Sequence, residues 1–228
     1  MSNTVLDARL GSAAELVRQG AVFADIGTDH AHLPIFLLKE GRIDRAVCAD
    51  INPGPLASAE KNVAECGFSD RVELVLTDGA AALADKGITD YAICGMGGEL
   101  IADIIAAAPR LFDPEVRLIL QPMSRQELLR SALAERGFDI LAERYSLADG
   151  KYYVCILAAY SGNVRGIDPI EAYLGVCPED THAEYIGYLT SKLRSLDSAI
   201  SGKRSAGIDA EAEEKIAAAI RERIGSFG

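Results

Sequence analysis

The feature that most constrains this chain is where its acids and glycines fall. Four short apolar runs in succession close on such residues. Residues 21–26 run into Asp25-Ile26-Gly27-Thr28-Asp29-His30, and 45–50 into Asp50-Ile51-Asn52. Residues 72–76 run into Thr77-Asp78-Gly79, and 90–94 into Gly95-Met96-Gly97-Gly98. Runs of this length bounded by turn residues predict buried strands. Apolar positions at helical spacing predict helices over 5–19, 33–39, 53–66 and 100–108. Gly20, Gly41 and Gly67 stop three of them, and Pro53 opens one. Strands alternating with helices form a parallel sheet covered on both faces, joined by right-handed crossovers. In such sheets ligands bind beyond the carboxyl ends of the strands, where the strand order reverses. All four clusters belong to that edge.

The second half of the chain narrows the fold. A fifth strand is predicted over 116–120, then a helix over 124–136 with Ser124 and Glu127 spaced as a capping box. Runs 138–146 and 152–159 follow with only 147–151 between them, which reads as a hairpin. An antiparallel hairpin closing a Rossmann-like α/β sheet is a habit of the class I S-adenosylmethionine-dependent methyltransferase fold. Residues 161–166 are linker-like, and 168–176 can form a short helix. Tyr185, Leu189, Leu193, Leu196 and Ile200 then make one apolar face of a long helix over 183–200. A turn over 201–207 leads to a second helix over 209–224. The expected organisation is a methyltransferase domain over 1–162 and a C-terminal α-helical hairpin, coiled-coil-like, over 163–228. Such a hairpin packs on the main domain or on another copy, or serves as an arm that grips substrate.

Charge and cysteine usage exclude several classes. The 228 residues carry 23 Lys and Arg against 34 Asp and Glu, a formal net charge of −11. Overall charge therefore does not hold this protein on nucleic acid. Any such grip needs local clusters, for which Arg42/Arg45, Arg125/Arg130, Lys192/Arg194, Lys203/Arg204 and Arg221/Arg223 are the candidates. The five cysteines form no C-x-x-C pair and there are three histidines, so no metal site is expected. Cysteines within apolar runs read as small buried side chains in a reducing compartment. No stretch approaches the roughly 18 apolar residues of a membrane span. Charged residues interrupt the first 24 positions, against a signal peptide. The expected location is the cytoplasm, and the oligomeric state is left open.

Each cluster suits a nucleoside-bearing cofactor. Gly27 allows the backbone to turn and to approach a ligand. Asp50, 23 positions later, stands where a carboxylate accepts from both ribose hydroxyls. Asp78 can accept from an adenine amino group. Taken singly, Asp25 and Asp50 could instead cap the following helices, and Asp78 could be a turn residue before Gly79. The glycine spacing separates the cofactors. A dinucleotide loop places glycine where Asp29 stands, so that a helix N-terminus can hold pyrophosphate. A carboxylate there repels phosphate and suits a sulfonium and an ammonium. S-adenosylmethionine is thus favoured over NAD.

The string Ala24-Asp-Ile-Gly-Thr-Asp-His-Ala-His-Leu-Pro34, with Asp78-Gly79, Cys94-Gly-Met-Gly-Gly98 and Leu120-Gln-Pro122, resembles the bacterial tRNA (adenine-22-N1)-methyltransferase family. Leu6-Asp-Ala-Arg9-Leu10 is similar to that family's opening Leu-x-x-Arg-Leu. The resemblance spans residues 5–160 in order, and the helical hairpin matches the family's C-terminal coiled-coil domain in architecture. Three positions depart from the family pattern: His32 in place of Tyr, Met123 in place of Asn, and Asp50 in place of Glu. The resemblance implies methyl transfer to N1 of an adenine in tRNA. It implies a cofactor site of Arg9, Asp25, Gly27, Asp50, Ile51, Asp78, Gly79, Gly95 and Met96. Asp29 and His30 are the catalytic candidates. N1 has an in-plane lone pair and yields a cationic product, so a carboxylate accepting from the N6 amino group would stabilise the developing charge. Asp29 could alternatively cap the next helix or meet the methionine moiety, and His30 could orient Asp29 or the substrate base, or be a packed or capping histidine. From the residues alone, four other readings stay open: an NAD-dependent oxidoreductase, which Asp29 opposes, a methyltransferase of other RNA, one of small molecules, and a non-catalytic cofactor-binding module.

Overall fold

A computed structural model describes residues 5–178 and 182–227. The predicted strands form one sheet: β1 (Ala21–Ile26), β2 (Ile43–Asp50), β3 (Val72–Leu76), β4 (Asp90–Gly97), β5 (Arg117–Ser124), β6 (Phe138–Ala148) and β7 (Lys151–Tyr160). Their order is β3-β2-β1-β4-β5-β7-β6. The first five are parallel, and β7 lies antiparallel between β5 and β6. The helices are α1 (Ala8–Leu16), α2 (His32–Lys39), α3 (Pro53–Glu65), α4 (Gly98–Ala106), α5 (Gln126–Glu135), α6 (Pro169–Leu174), α7 (His182–Ser205) and α8 (Glu211–Gly225). This is the expected Rossmann-like architecture with its closing hairpin. After β3 the chain returns to the other side of β1, so the crevice where strand order reverses lies between β1 and β4.

Helices cover both faces of the sheet, which is why β1 is buried along nearly its whole length. On one face Ala13, Val17, Leu33 and Leu37 pack against Phe23, Ala92 and Ile119. On the other Ile101, Ile105, Leu129 and Leu133 pack against Ala24, Ile93 and Leu118. Each such leucine or isoleucine contributes roughly 1.5–3 kcal/mol by leaving water. The second cluster continues without a break into the helical hairpin, through Tyr185, Leu189, Leu196, Ile200, Ile216 and Ile220. The hairpin therefore packs on the sheet of its own chain, with α7 against β6 and β7.

A buried ion pair fastens the segment between sheet and hairpin. Arg130 of α5 donates from Nε and Nη2 to the two oxygens of Glu143 on β6, at 2.7 and 3.1 Å. The Tyr145 hydroxyl donates to Glu143 at 2.5 Å and the Val176 amide at 2.9 Å. Arg130 Nη1 donates to the Ala172 carbonyl at 2.8 Å. A Cβ on Gly175 would sit 2.4 Å from Glu143 Oε2, so only glycine lets this segment lie against the pair. Arg130 is thus a structural residue and not, as its sequence neighbourhood with Arg125 proposed, part of a surface basic cluster.

Several boundaries differ from the sequence reading. Asp7 caps α1 by accepting from the Leu10 amide at 2.7 Å, so the helix starts at Ala8. Strand β4 extends through Gly97, bulged around Gly95 and Met96, and Gly97 pairs with Ser124. That pairing takes Ser124 into β5, and the predicted capping box does not form. Helix α5 starts instead after Arg125, which is left-handed at φ 55° and gives no side-chain cap. The β6–β7 turn shrinks to Asp149-Gly150, both with positive φ (48° and 72°), the geometry that matches strand twist in a two-residue hairpin. Helix α7 runs on to Ser205 through most of the predicted turn. Among the described residues no helix is long and apolar enough to cross a membrane, and no group of three His, Cys, Asp or Glu could hold a metal. All five cysteines are free thiols.

Candidate active site at the strand ends

The loop after β1 is the centre of the crevice. Gly27 has φ +74°, and a Cβ there would lie 2.0 Å from Met96 Cε. Its bare backbone thus makes room for a methionine reaching across from the end of β4. The Gly27 and Thr28 amides both donate to the Ala49 carbonyl, at 2.7 and 3.0 Å, tying this loop to β2. Thr28 Oγ1 donates to Asp25 Oδ2 at 2.7 Å within the buried floor. Burial pushes the Asp25 carboxyl up to about 6; the Thr28 hydrogen bond works against this and the charge on nearby Asp50 adds to it. Asp25 therefore organises the loop and does not cap the next helix.

Asp29 stands on the exposed side of the same loop, with Oδ1 3.2 Å from His30 Nε2. Its side chain is 74% accessible and that of His30 is 46%, so both are open to an incoming molecule. The backbone here is strained. His30 and Ala31 both have positive φ, 64° and 54°, at a typical cost of about 1–3 kcal/mol each. Asn62 of α3 offsets this by donating to the His30 carbonyl at 3.0 Å. Helix α2 is capped at Ala31 without any side-chain hydrogen bond. The capping alternative for Asp29 is thereby removed, while the orienting contact with His30 is present.

The next two acids line the rim along β2 and β3. Asp50 Oδ1 accepts from the Asn52 amide at 2.7 Å, which fixes the carboxylate. Its backbone carbonyl accepts from the Thr77 amide at 2.9 Å, binding the two strand ends together. Asn52, not Asp50, is the cap residue of α3. Ile51 is exposed at 64%. Asp78 is exposed and has no hydrogen-bond partner among the described residues. Gly79 adopts φ +143° and backs onto Ile104 of α4.

On the opposite side, Gly95 has φ +80° and its amide donates to Gln121 Oε1 at 3.1 Å. Arg9 Nη1 donates to the same oxygen at 2.9 Å. Gln121 is completely buried. In the sequence both Gln121 and Thr28 stand inside the strand-end motifs with no role assigned to either. The available signal for Gln121 was one amide side chain at the end of the apolar run 118–120. The fold thus brings Asp25, Gly27, Asp50, Gly95 and Met96 around one crevice and joins Arg9 to it through Gln121. Asp78 and Gly79 lie two strands away from the centre, on the rim. Four carboxylates face this edge, and the nearby Arg9 is already committed to Gln121 and Asp7.

Comparison with known proteins agrees with this geometry. The methyltransferase domain family matches residues 6–156. The tRNA (adenine(22)-N(1))-methyltransferase of Bacillus subtilis (strain 168) is 31% identical over 176 residues, 77% of this chain and 74% of the relative. The crystal structure of the B. subtilis M1A22 tRNA methyltransferase TrmK superposes with a TM-score of 0.80 at 27% identity, covering 98% of this chain and 97% of that one. A Streptococcus pneumoniae protein solved in complex with S-adenosyl-L-methionine gives 0.81 at 29% identity, covering 96% of this chain and all of the other. The likeness takes in the helical hairpin as well as the sheet, and the resemblance read from the strand-end motifs is borne out. A chain with this crevice, this hairpin and relatives at this level over most of its length belongs to the tRNA (adenine(22)-N(1))-methyltransferase family.

Proposed function

We propose that this protein transfers a methyl group from S-adenosylmethionine to N1 of an adenine in tRNA, position 22 by family. The observation that carries the reading is the crevice between β1 and β4, where Gly27 meets Met96 beneath an acidic rim. The residues fit the cofactor's chemistry. Carboxylates without an uncommitted cation suit a ligand with positive charge and no phosphate. When bound, S-adenosylmethionine supplies an electrophilic methyl on a cationic sulfur. Asp50, held by Asn52, accepts from the ribose hydroxyls, with Ile51 beside it, and Asp78 with Gly79 receives the adenine edge. Gly27, Gly95 and Met96 line the path of the reacting end, and Asp25 and Arg9 brace it from beneath.

For the target base, Asp29 accepts from the N6 amino group as N1 becomes positively charged. No base is needed to free N1, because its lone pair is already in the ring plane. Asp29 can take a proton from N6 after transfer, and His30 positions its carboxylate. Residues 1–162 carry this chemistry, and 163–228 hold the substrate. A tRNA substrate makes the cytoplasm the working compartment. The test is incubation with labelled S-adenosylmethionine and a tRNA transcript, followed by nucleoside analysis. N1-methyladenosine is expected, and it should vanish when adenine 22 is replaced by guanine. Cofactor binding without any methylated nucleoside would overturn the reading.

A further inference from the structure

We propose that the groove between α5 and α7 binds the sugar–phosphate strand of the RNA next to the target base. The inference rests on tRNA being the substrate. The groove measures about 750 Å³ and opens between the start of α5, the β6–β7 turn and one side of α7. It adjoins the crevice directly: a Cβ on Gly98, which follows β4, would lie 2.4 Å from the carbonyl oxygen of Arg125 on its wall.

Its charge is the reverse of the molecule's. The protein carries a net −11, yet four cations line this groove (Arg125, Lys151, Lys192 and Arg194) against the one carboxylate of Glu127. Lys192 is spent internally, at 3.2 Å from Glu127 and hydrogen-bonded to Gln126. The side chains of the other three are exposed and make no ion pair or hydrogen bond among the described residues. Other basic clusters are largely used elsewhere. Lys203 and Arg204 pair with Glu213 and Glu214, Arg221 with Asp197, and Arg130 is buried on Glu143. Arg42 and Arg45 donate to backbone carbonyls. Three unpaired cations on one concave surface of an otherwise acidic protein make a local positive potential that draws an anion.

The aromatic content points to nucleic acid over a simple anion. Tyr152, Tyr153 and Tyr173 line the same groove and are half-buried. Tyr152 packs on Gly187 and Lys192 lies over Tyr173, which leaves Tyr153 as the ring for base stacking beside the phosphate-binding cations, the pattern that holds single strands. The elements involved come from both parts of the chain, so the groove exists only when the hairpin is docked on the sheet.

The test compares the wild type with Arg125→Gln/Lys151→Gln/Arg194→Gln, and with a control of equal charge change, Lys61→Gln/Arg71→Gln/Lys86→Gln. The control removes cations that already pair with acids, Glu65, Asp44 and Glu73, outside the helical hairpin. Affinity for a tRNA transcript is measured by fluorescence anisotropy over a range of salt, with S-adenosylmethionine affinity measured alongside. The groove variant should bind tRNA at least tenfold more weakly at physiological salt. Its salt dependence should flatten by about 2 in log–log slope, since each single-strand phosphate contact contributes roughly 0.7. Cofactor affinity should hold in all three proteins, and the control should bind tRNA like the wild type. Unchanged tRNA affinity in the groove variant, or an equal loss in the control, would overturn the proposal. A wild type that neither binds nor methylates tRNA would instead defeat the reading of the function on which it rests.

Discussion

Arg9 and Gln121, 112 positions apart, meet beneath the crevice, where Arg9 Nη1 donates to Gln121 Oε1 at 2.9 Å. The same oxygen accepts the Gly95 amide at 3.1 Å. One buried side chain thus joins α1, the bulge of β4 and the end of β5, and holds the Gly95 backbone in its left-handed conformation. Replacing it with an apolar residue leaves an arginine and an amide without their acceptor.

Gln121→Leu should cost about 1–3 kcal/mol of stability, the range for stranding a buried donor. It should also weaken S-adenosylmethionine binding by roughly tenfold, equivalent to about 1.4 kcal/mol. Urea unfolding and calorimetric titration read the two effects separately. Wild-type cofactor affinity in this variant would show that the Gly95 loop does not depend on Gln121.

Asp29→Asn should lower kcat by about 10²–10³ while changing cofactor affinity little, because the lost interaction strengthens only as N1 gains charge. The melting temperature should stay at the wild-type value, since Ala31 and not Asp29 stands at the cap of α2. Single-turnover methylation under saturating cofactor measures the rate. A loss of affinity proportionate to the loss of rate would move Asp29 from the target base to the cofactor.

Asp25 makes stability depend on pH in an unusual direction. Its carboxyl is raised to about 6 in the folded protein, from an ordinary value of 3.8. The folded state therefore holds the proton more tightly, and its contribution to stability falls as pH rises between about 4 and 6. Above that window the buried charge costs of order 2–3 kcal/mol. Asp25→Asn should raise the melting temperature at pH 7.5, and the gain should disappear by pH 4. Differential scanning calorimetry at both pH values checks this. A variant less stable than wild type at pH 7.5 would mean that the ionised form is favoured in the fold.

Glu143→Gln should destabilise by about 3–5 kcal/mol, because Arg130 would then be buried without its counter-charge. The double change Arg130→Met/Glu143→Leu should recover much of that loss, since it removes both charges from the interior. Chemical denaturation of the three proteins gives the comparison. A double variant as unstable as the single one would show that the hydrogen bonds to Ala172 and Val176, which anchor the segment before the hairpin, outweigh the cost of the charges.

Much of the fold was legible in the sequence because its signals are local. Strands β1 and β3 end where the apolar runs end, and their acids and glycines stand on the binding edge because every parallel strand of such a sheet runs the same way. The terminal hairpin was legible for the same reason, although Asp149-Gly150 announced a tighter turn than the one predicted. Pairings between distant segments were not legible. Gly97 draws Ser124 into β5 and so cancels a well-formed capping signal. Arg125 and Arg130, neighbours on a basic stretch, separate into a solvent-facing cation and a buried ion pair, because α5 turns one toward the groove and the other toward β6. Gln121 becomes the hub of the crevice only when α1 packs on β5, β6 and β7 and brings Arg9 to it. Periodicity and turn chemistry act over a few residues, so the sequence by itself determined the elements and the edge on which the chemistry sits. Which side chains share charge, hydrogen bonds and space depends on contacts closed over a hundred residues, and those the tertiary structure alone decided.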